Sequence, residues 1–178
     1  MNRTFESTRA RATLQPAGAE DEAFLFEVYA STRAEELAPV GWSESQRESF
    51  LRMQFSAQDK HYRENYPGAE FQIIQMDGEP VGRLYVHRRA TEIRIMDIAL
   101  LPAYRRRGIG TMLLEEILAE GAASGKSVTI HVEMFNPALR WYERLGFRKV
   151  TANGPYHLVK WSPNRAAQRS QAGREAEA

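Results

Sequence analysis

The chain has 178 residues, 43% hydrophobic and 26% charged, with a formal net charge of +1: enough for one domain with a real core, and no global reason to expect nucleic acid or an anionic membrane as partner. It contains no cysteine, which excludes disulfides, thiolate metal ligands and acyl transfer through a cysteinyl thioester. No apolar run is long enough to span a bilayer and the N-terminus lacks the apolar core of a secretory signal, so a cytoplasmic protein is expected.

Residues 1–10 are polar and read as mobile, and 11–15 as a short first strand stopped by Pro16 and Gly18. Asp21 has the character of an N-cap, and Phe24, Leu25, Val28, Tyr29 and Thr32 recur at helical spacing, predicting a helix over 21–36. After the break at Pro39 and Gly41, Ser43 with Gln46 three residues on is a capping box for a second helix, whose apolar face uses Phe50, Leu51 and Phe55 and runs on toward Tyr62. A β section follows: Glu70–Met76, a hairpin signal at Asp77-Gly78, then 81–88 and Glu92–Leu100. Ile109–Ser124 is a helix with Ile109, Leu113 and Ile117 on one side and Gly125 at its stop. Val128, Ile130 and Val132 alternate with Thr129, His131 and Glu133, the pattern of a half-buried strand. Asn136 as N-cap and Pro137 at the first helical position open a fourth helix closed by Gly146. Residues 147–151 and Tyr156–Trp161 are the last two strands, and the polar, alanine-rich stretch 164–178 reads as a disordered tail behind a single domain over 1–163. A strand–helix–strand unit next to a DG hairpin predicts an α/β (α+β) fold: a mixed, mostly antiparallel central sheet with one parallel pair and helices on both faces.

The informative stretch is 100–114, LLPAYRRRGIGTMLL. A strand ends, a basic glycine-bearing turn follows, and a helix begins with its free amides pointing outward. Gly108 and Gly110 let backbone approach a phosphate without a Cβ between, and Arg105, Arg106 and Arg107 add charge-assisted contacts, so a diphosphate is the natural ligand. Two other phosphate motifs are weaker. GIGTML, from Gly108, starts like a dinucleotide fingerprint but has Leu113 at the third glycine. GAASGKS, from Gly121, resembles a P-loop one residue short, but it leaves a helix for a strand, the reverse of what a P-loop needs. Four scattered histidines give no metal-ligand spacing, so no metal site is expected. Three arginines in a chain of balanced charge give no support for nucleic acid.

IALLPAYRRRGIGTMLL resembles the cofactor motif of the GNAT superfamily, the acetyl-CoA-dependent N-acyltransferases: Gln or Arg, two residues, Gly, one residue, Gly or Ala, here Arg105 through Gly110. The Pro102-Ala103-Tyr104 lead-in and the downstream NPALRWYERLGF, residues 136–147, fit as well, and the resemblance covers about residues 70–161. It implies acetyl-CoA as co-substrate. It implies that the cradle amides through Thr111 hold the pyrophosphate, that the strand backbone at Ile98, Ala99 and Leu100 pairs with pantetheine, that this strand and the Val128 strand splay apart, and that Asn136 and its helix line the other side. It further implies that Tyr142 donates to the leaving sulfur.

Direct transfer to an amine needs a neutral amine, a donor for the carbonyl oxygen and a proton for the thiolate. A phenol suits the last task, with a pKa of about 10 not far above that of a thiol. Tyr142 can equally pack with Leu139 and Leu145 on the inner face of its helix. For the base, Glu133 ranks first, Asp97 second and His131 third. Asp97 interrupts the apolar run RIMDIAL and can instead pair with Arg94 or Arg83, while a water relay needs no single base. The leading reading is an N-acetyltransferase acting on a primary amine of a small molecule or peptide. The alternative is an acyl-CoA-binding or sensing module of the same fold. The aromatic residues Trp42, Phe50, Phe55, Tyr62 and Tyr66 are candidates for an acceptor wall or for simple packing, and Arg83 with Tyr85 for a carboxylate contact. The acceptor and a homodimer stay open.

Overall fold

The computed structural model describes residues 3–7 and 10–163, so the tail expected over 164–178 lies outside the described residues. Packing divides the chain into two compact units that are interleaved in sequence. One holds the chain up to Tyr85 together with Asp97–Gly110, the other Val86–Met96 and the chain from Thr111 on. The strand order is β1-β2-β3-β4-β5-β6-β8-β7. No helix of the described residues is long and apolar enough to cross a membrane.

The first unit opens with a strand pair where mobile chain was expected. β1 (Arg3–Ser7) pairs antiparallel with β2 (Ala10–Pro16), which pairs in turn with β3 (Glu70–Met76). β1 was illegible because it lies at one end of the strand order, and such a strand needs only a partner's backbone; RTFES carries one large apolar residue and no alternation. α1 (Glu22–Leu37) follows a short 3-10 turn with Asp21 at its N-cap position as expected, but the Asp21 carboxylate accepts from the Gly18 amide at 2.8 Å and not from the first turn of the helix. α2 (Glu44–Asn65) begins with the expected capping box, Gln46 N–H to Ser43 Oγ at 3.3 Å and Ser43 N–H to Gln46 Oε1 at 2.9 Å. Phe55 of α2 meets Phe26 and Tyr29 of α1 at ring-centroid distances of 5.8 and 5.7 Å. Asp77 and Gly78, both at positive φ, turn β3 into β4 (Glu79–Arg88), the geometry of a two-residue hairpin loop. Residues 81–86 of β4 are buried without alternation, as in a strand covered on both faces.

In the second unit the first part of β5 (Glu92–Leu100) pairs parallel with β6 (Ser127–Glu133) from Glu92↔Ser127 to Ile95↔Ile130. The ladder ends there, although β5 continues for five residues and β6 for three. α3 (Ile109–Ser124) connects the two and stops where expected: Lys126 N–H donates to Gly121 O at 2.9 Å and Gly125 N–H to Ala122 O at 3.4 Å, a Schellman end. A Cβ on Gly121 would meet Val128 at 3.1 Å and Trp161 at 3.3 Å, so the last turn of α3 rests on the buried row of β6 and β8 (Tyr156–Trp161). The opposite face of β6 is less open than the alternation predicts: Thr129 is buried and only His131 is exposed. α4 is shorter than expected, Leu139–Arg144, with Ala138 as its N-cap. Asn136 still caps, one turn earlier: its Oδ1 accepts from Ala138 N–H at 2.9 Å and its carbonyl from Leu139 N–H at 3.0 Å, which leaves Pro137 in a turn. β7 (Arg148–Asn153) pairs antiparallel with β8 across a register shift between Lys149 and Thr151, a bulge that leaves Val150 exposed.

Candidate active site

Residues 98–100 of β5 lie beyond the last β5–β6 pair and are half-buried. The chain then makes a 3-10 turn over Pro102–Tyr104 and reaches the arginines. Arg106 has φ of 60° and Gly108 has φ of 84°. A left-handed non-glycine residue is costly, and two such positions flanking one ordinary residue turn successive amides toward a common point. Among the described residues the amides of Arg106, Arg107 and Gly108 have no backbone partner, and a Cβ on Gly108 would meet nothing within 4 Å. These amides and the exposed Arg106 and Arg107 side chains make a donor-rich turn immediately before α3, where an anion would find partners. Ile109, 5% exposed, anchors it from behind. The Arg107 guanidinium lies over the Tyr104 ring, 5.4 Å from its centroid. Arg105 differs from its neighbours: its guanidinium turns inward, onto the carbonyl of Leu100 and onto Ser31 of α1.

The same unit holds Asp97 in an ion pair. Arg83, 2% exposed, donates from Nη2 to Asp97 Oδ2 at 2.6 Å and to Gln58 Oε1 at 3.0 Å. Of the two arginines weighed for Asp97, Arg83 is the one found. Its guanidinium lies over the rings of Tyr85 and Tyr29 at 5.2 and 5.7 Å, while Nε and Nη1 are buried without a hydrogen-bond partner among the described residues. Burial pushes the Tyr85 phenol up to about 12, against the pull of the Arg83 charge beside it. Tyr85 also meets Phe71 at 4.9 Å and Tyr62 at 6.1 Å, and Tyr62 meets Tyr66 at 6.1 Å. The predicted stripe therefore divides: Phe55 is core, Tyr62 and Tyr66 join a half-buried aromatic cluster, and Trp42 packs on Phe50 at 5.0 Å beside a shallow cavity of about 410 Å³.

In the second unit Tyr142 is 3% exposed, with Trp141 at 4.8 Å and Phe147 at 5.5 Å between ring centroids. Trp141 Nε1 donates to the Thr111 hydroxyl at 3.0 Å, so the first turn of α3 fixes the helix that carries Tyr142. Glu133 is the last residue of β6, half-buried, paired with Tyr156 of β8. Asn136 is exposed in the turn that follows. His131 belongs to a polar network: Arg94 donates to its Nδ1 at 3.2 Å and to Thr129 Oγ1 at 2.9 Å, and Glu92 accepts from Arg94, Arg89 and Thr129. Arginine can only donate, so Nδ1 accepts and Nε2 carries the proton of the neutral ring. Burial, then the Arg94 charge, lowers the His131 pKa. Sequence reasoning missed Ser31 and Gly82. A Cβ on Gly82 would overlap the Ala99 carbonyl oxygen, and a lone glycine inside a strand is the signal for such an approach. Ser31 carries no signal of its own.

The sequence profile of the acetyltransferase (GNAT) family matches residues 32–147. A Schizosaccharomyces pombe protein described as an uncharacterized N-acetyltransferase is 42% identical over 64 residues, 34% of this chain and 43% of that protein. An N-alpha-acetyltransferase of Sulfurisphaera tokodaii is 30% identical over 104 residues, 50% of this chain and 62% of that protein. The chain thus spans about half the length of the curated relatives it matches. Among solved structures, a PaiA N-acetyltransferase from Thermoplasma acidophilum in complex with coenzyme A aligns with a TM-score of 0.64 at 20% identity, over 85% of this chain and 98% of that one. An acetyltransferase from Thermus thermophilus aligns with a TM-score of 0.62 at 23% identity, over 85% and 96%.

Proposed function

Because the chain belongs to the acetyltransferase (GNAT) family, whose acyl donor is acetyl-CoA, we propose that it moves an acetyl group directly from acetyl-CoA to a primary amine. The observation that carries this reading is the cradle at residues 106–110: two left-handed positions, amides without partners, and open space in front of Gly108. These donors suit a diphosphate. We assign it to the amides of Arg106, Arg107, Gly108, Ile109, Gly110 and Thr111, with the Arg106 and Arg107 guanidiniums adding charge. The pantetheine arm is assigned to the backbone of Ile98, Ala99 and Leu100, with Asn136 and Tyr142 as further contacts.

In the transfer, the neutral amine nitrogen bonds to the carbonyl carbon, the carbon–sulfur bond breaks, the amine sheds one proton and the departing thiolate takes one. Tyr142 is assigned the donation to sulfur, since a phenol can protonate a thiolate with little mismatch in pKa. Glu133 is the first candidate for accepting the amine proton. Asp97 ranks second; Arg83 donates to one of its oxygens. His131 ranks third because Arg94 occupies its one basic nitrogen.

The test is thiol release from acetyl-CoA on a panel of peptide N-termini, free amino acids, polyamines and aminoglycosides, with product mass confirmed. Peptide N-termini come first, since one relative is described as an N-alpha-acetyltransferase. Thiol release that depends on the amine is expected. Coenzyme A binding in calorimetry with no turnover on any amine would support the sensing-module reading instead.

A further inference from the structure

Arg105 opens the R-x-x-G-x-G motif, yet its guanidinium is bonded to protein groups. Nε donates to the Leu100 carbonyl at 2.8 Å, and Nη2 donates to the Ser31 hydroxyl at 3.0 Å and the Ser31 carbonyl at 3.2 Å. Ser31 Oγ gives its own proton to Val28 O at 2.7 Å, which leaves its lone pairs to the arginine. The Arg105 amide is also committed, to Pro102 O at 3.3 Å.

The group being held is the last peptide of β5. Leu101 N–H donates to Val81 O at 2.9 Å, on the far side of the same planar peptide whose carbonyl Arg105 grips. That peptide is therefore pinned at both ends, one end by a charge-assisted bond. One peptide earlier, the Ala99 carbonyl is seated against Gly82, where any side chain would collide with it. β5 thus leaves the sheet with its last two carbonyls fixed in direction, and the second fixture reaches α1 across 74 residues of sequence. A strand edge that accepts an extended ligand recognises it through the direction of its free backbone groups, and the fixed peptides set that direction.

Resting on the reading that β5 pairs with pantetheine, we propose that Arg105 is a positioning residue for that edge, tying it to α1, and not a ligand of the diphosphate. Arg106 and Arg107 carry the phosphate charge; Arg105 sets where the pantetheine amides find their partners.

Pantetheine, which lacks the diphosphate, separates the two roles. Binding of coenzyme A is measured by calorimetry, and that of pantetheine by competition against it, in the wild type, Arg105→Gln, Arg105→Lys and Arg106→Gln. Arg105→Gln is expected to weaken both ligands by the same factor, about tenfold or more, since bonds to a charged group are lost from a part-buried site. Arg105→Lys is expected not to restore binding, because one ammonium cannot span Leu100 and Ser31 as the planar fork does. Arg106→Gln weakens coenzyme A alone. Ser31→Ala, which removes one bond and no charge, is the milder variant should Arg105→Gln fail to fold, with a smaller but again equal loss on both ligands. A loss confined to coenzyme A in Arg105→Gln, or no loss with either ligand, overturns the proposal while leaving the acetyltransferase reading intact. Wild-type protein that binds neither ligand overturns that reading and this proposal with it.

Discussion

Tyr142 is nearly closed to solvent between Trp141 and Phe147, so its ring has a packing role whatever its hydroxyl does. Tyr142→Phe keeps the ring and removes only the oxygen, which separates the two roles. Turnover is expected to fall roughly 10²-fold, the lower range for a general acid, with coenzyme A affinity little changed. Steady-state kinetics with each accepted amine decide it, and unchanged turnover with all of them removes Tyr142 as the donor. His131 gives a prediction of another kind. Its pKa is lowered in the folded state, so the unfolded chain takes up the proton first as pH falls through the ordinary histidine range near 6.5, and stability is lost there. The ring is exposed, so solvent screens the effect and keeps it small. His131→Asn is expected to flatten the decline in Tm between pH 7 and pH 5; equal declines in the two proteins would falsify the assignment. At this scale the sequence reveals residue types and spacings, and the R-x-x-G-x-G run was legible for that reason. What Arg105 does was not, because its partner Ser31 is 74 residues away in sequence; for Asp97 the sequence offered Arg94 and Arg83, and only the fold chooses Arg83.

Elements with a local code were readable from it. The Ser43–Gln46 box, the Asp77-Gly78 turn and the Gly125 stop each satisfy backbone groups within a few residues, so composition alone specifies them. The start of α4 was misread because Asn136-Pro137 fits an N-cap with Pro at the first position equally well as a turn before the helix. β1 was missed because its stability comes from β2 and not from its own pattern. Gly82 lies between these cases, visible as an oddity but interpretable only against Ala99. Gly82→Ala would place a Cβ into the Ala99 carbonyl oxygen with Leu100 Cδ2 at 2.8 Å, and a backbone atom cannot swing aside as a flexible side chain does. Overpacking of this sort costs about 1–3 kcal/mol. Gly82→Ala is expected to lower Tm and also to weaken coenzyme A, since pushing the Ala99 carbonyl aside shifts the strand whose other edge is assigned to pantetheine. Retention of wild-type affinity in a folded Gly82→Ala protein would show that the edge tolerates the shift, and would argue against backbone pairing there.

For the whole molecule, the order of elements was legible from α1 on: the αα, meander, strand–helix–strand arrangement read from the sequence is the one found, and the family profile matches residues 32–147. Stability measurements divide the binding energy of the proposed site between phosphate charge and backbone pairing. A ligand that binds only the folded state adds about 2.7 kcal/mol at a hundredfold excess over its Kd. For a chain of 150–250 residues, at about 2–4 °C per kcal/mol, that raises Tm by roughly 5–10 °C. Arg106 and Arg107 are exposed, so their share is open to screening: raising salt to about 1 M shortens the Debye length to about 3 Å. The amides assigned to the diphosphate at the start of α3 would act at contact distance and lose less. Coenzyme A is therefore expected to raise Tm clearly at low salt and by a reduced but still measurable amount at high salt, with Arg106→Gln narrowing the gap between the two. A shift that vanishes entirely at high salt would mean that charge alone holds the ligand and that the amide cradle contributes nothing. A shift that does not change with salt would remove the two arginines from the site.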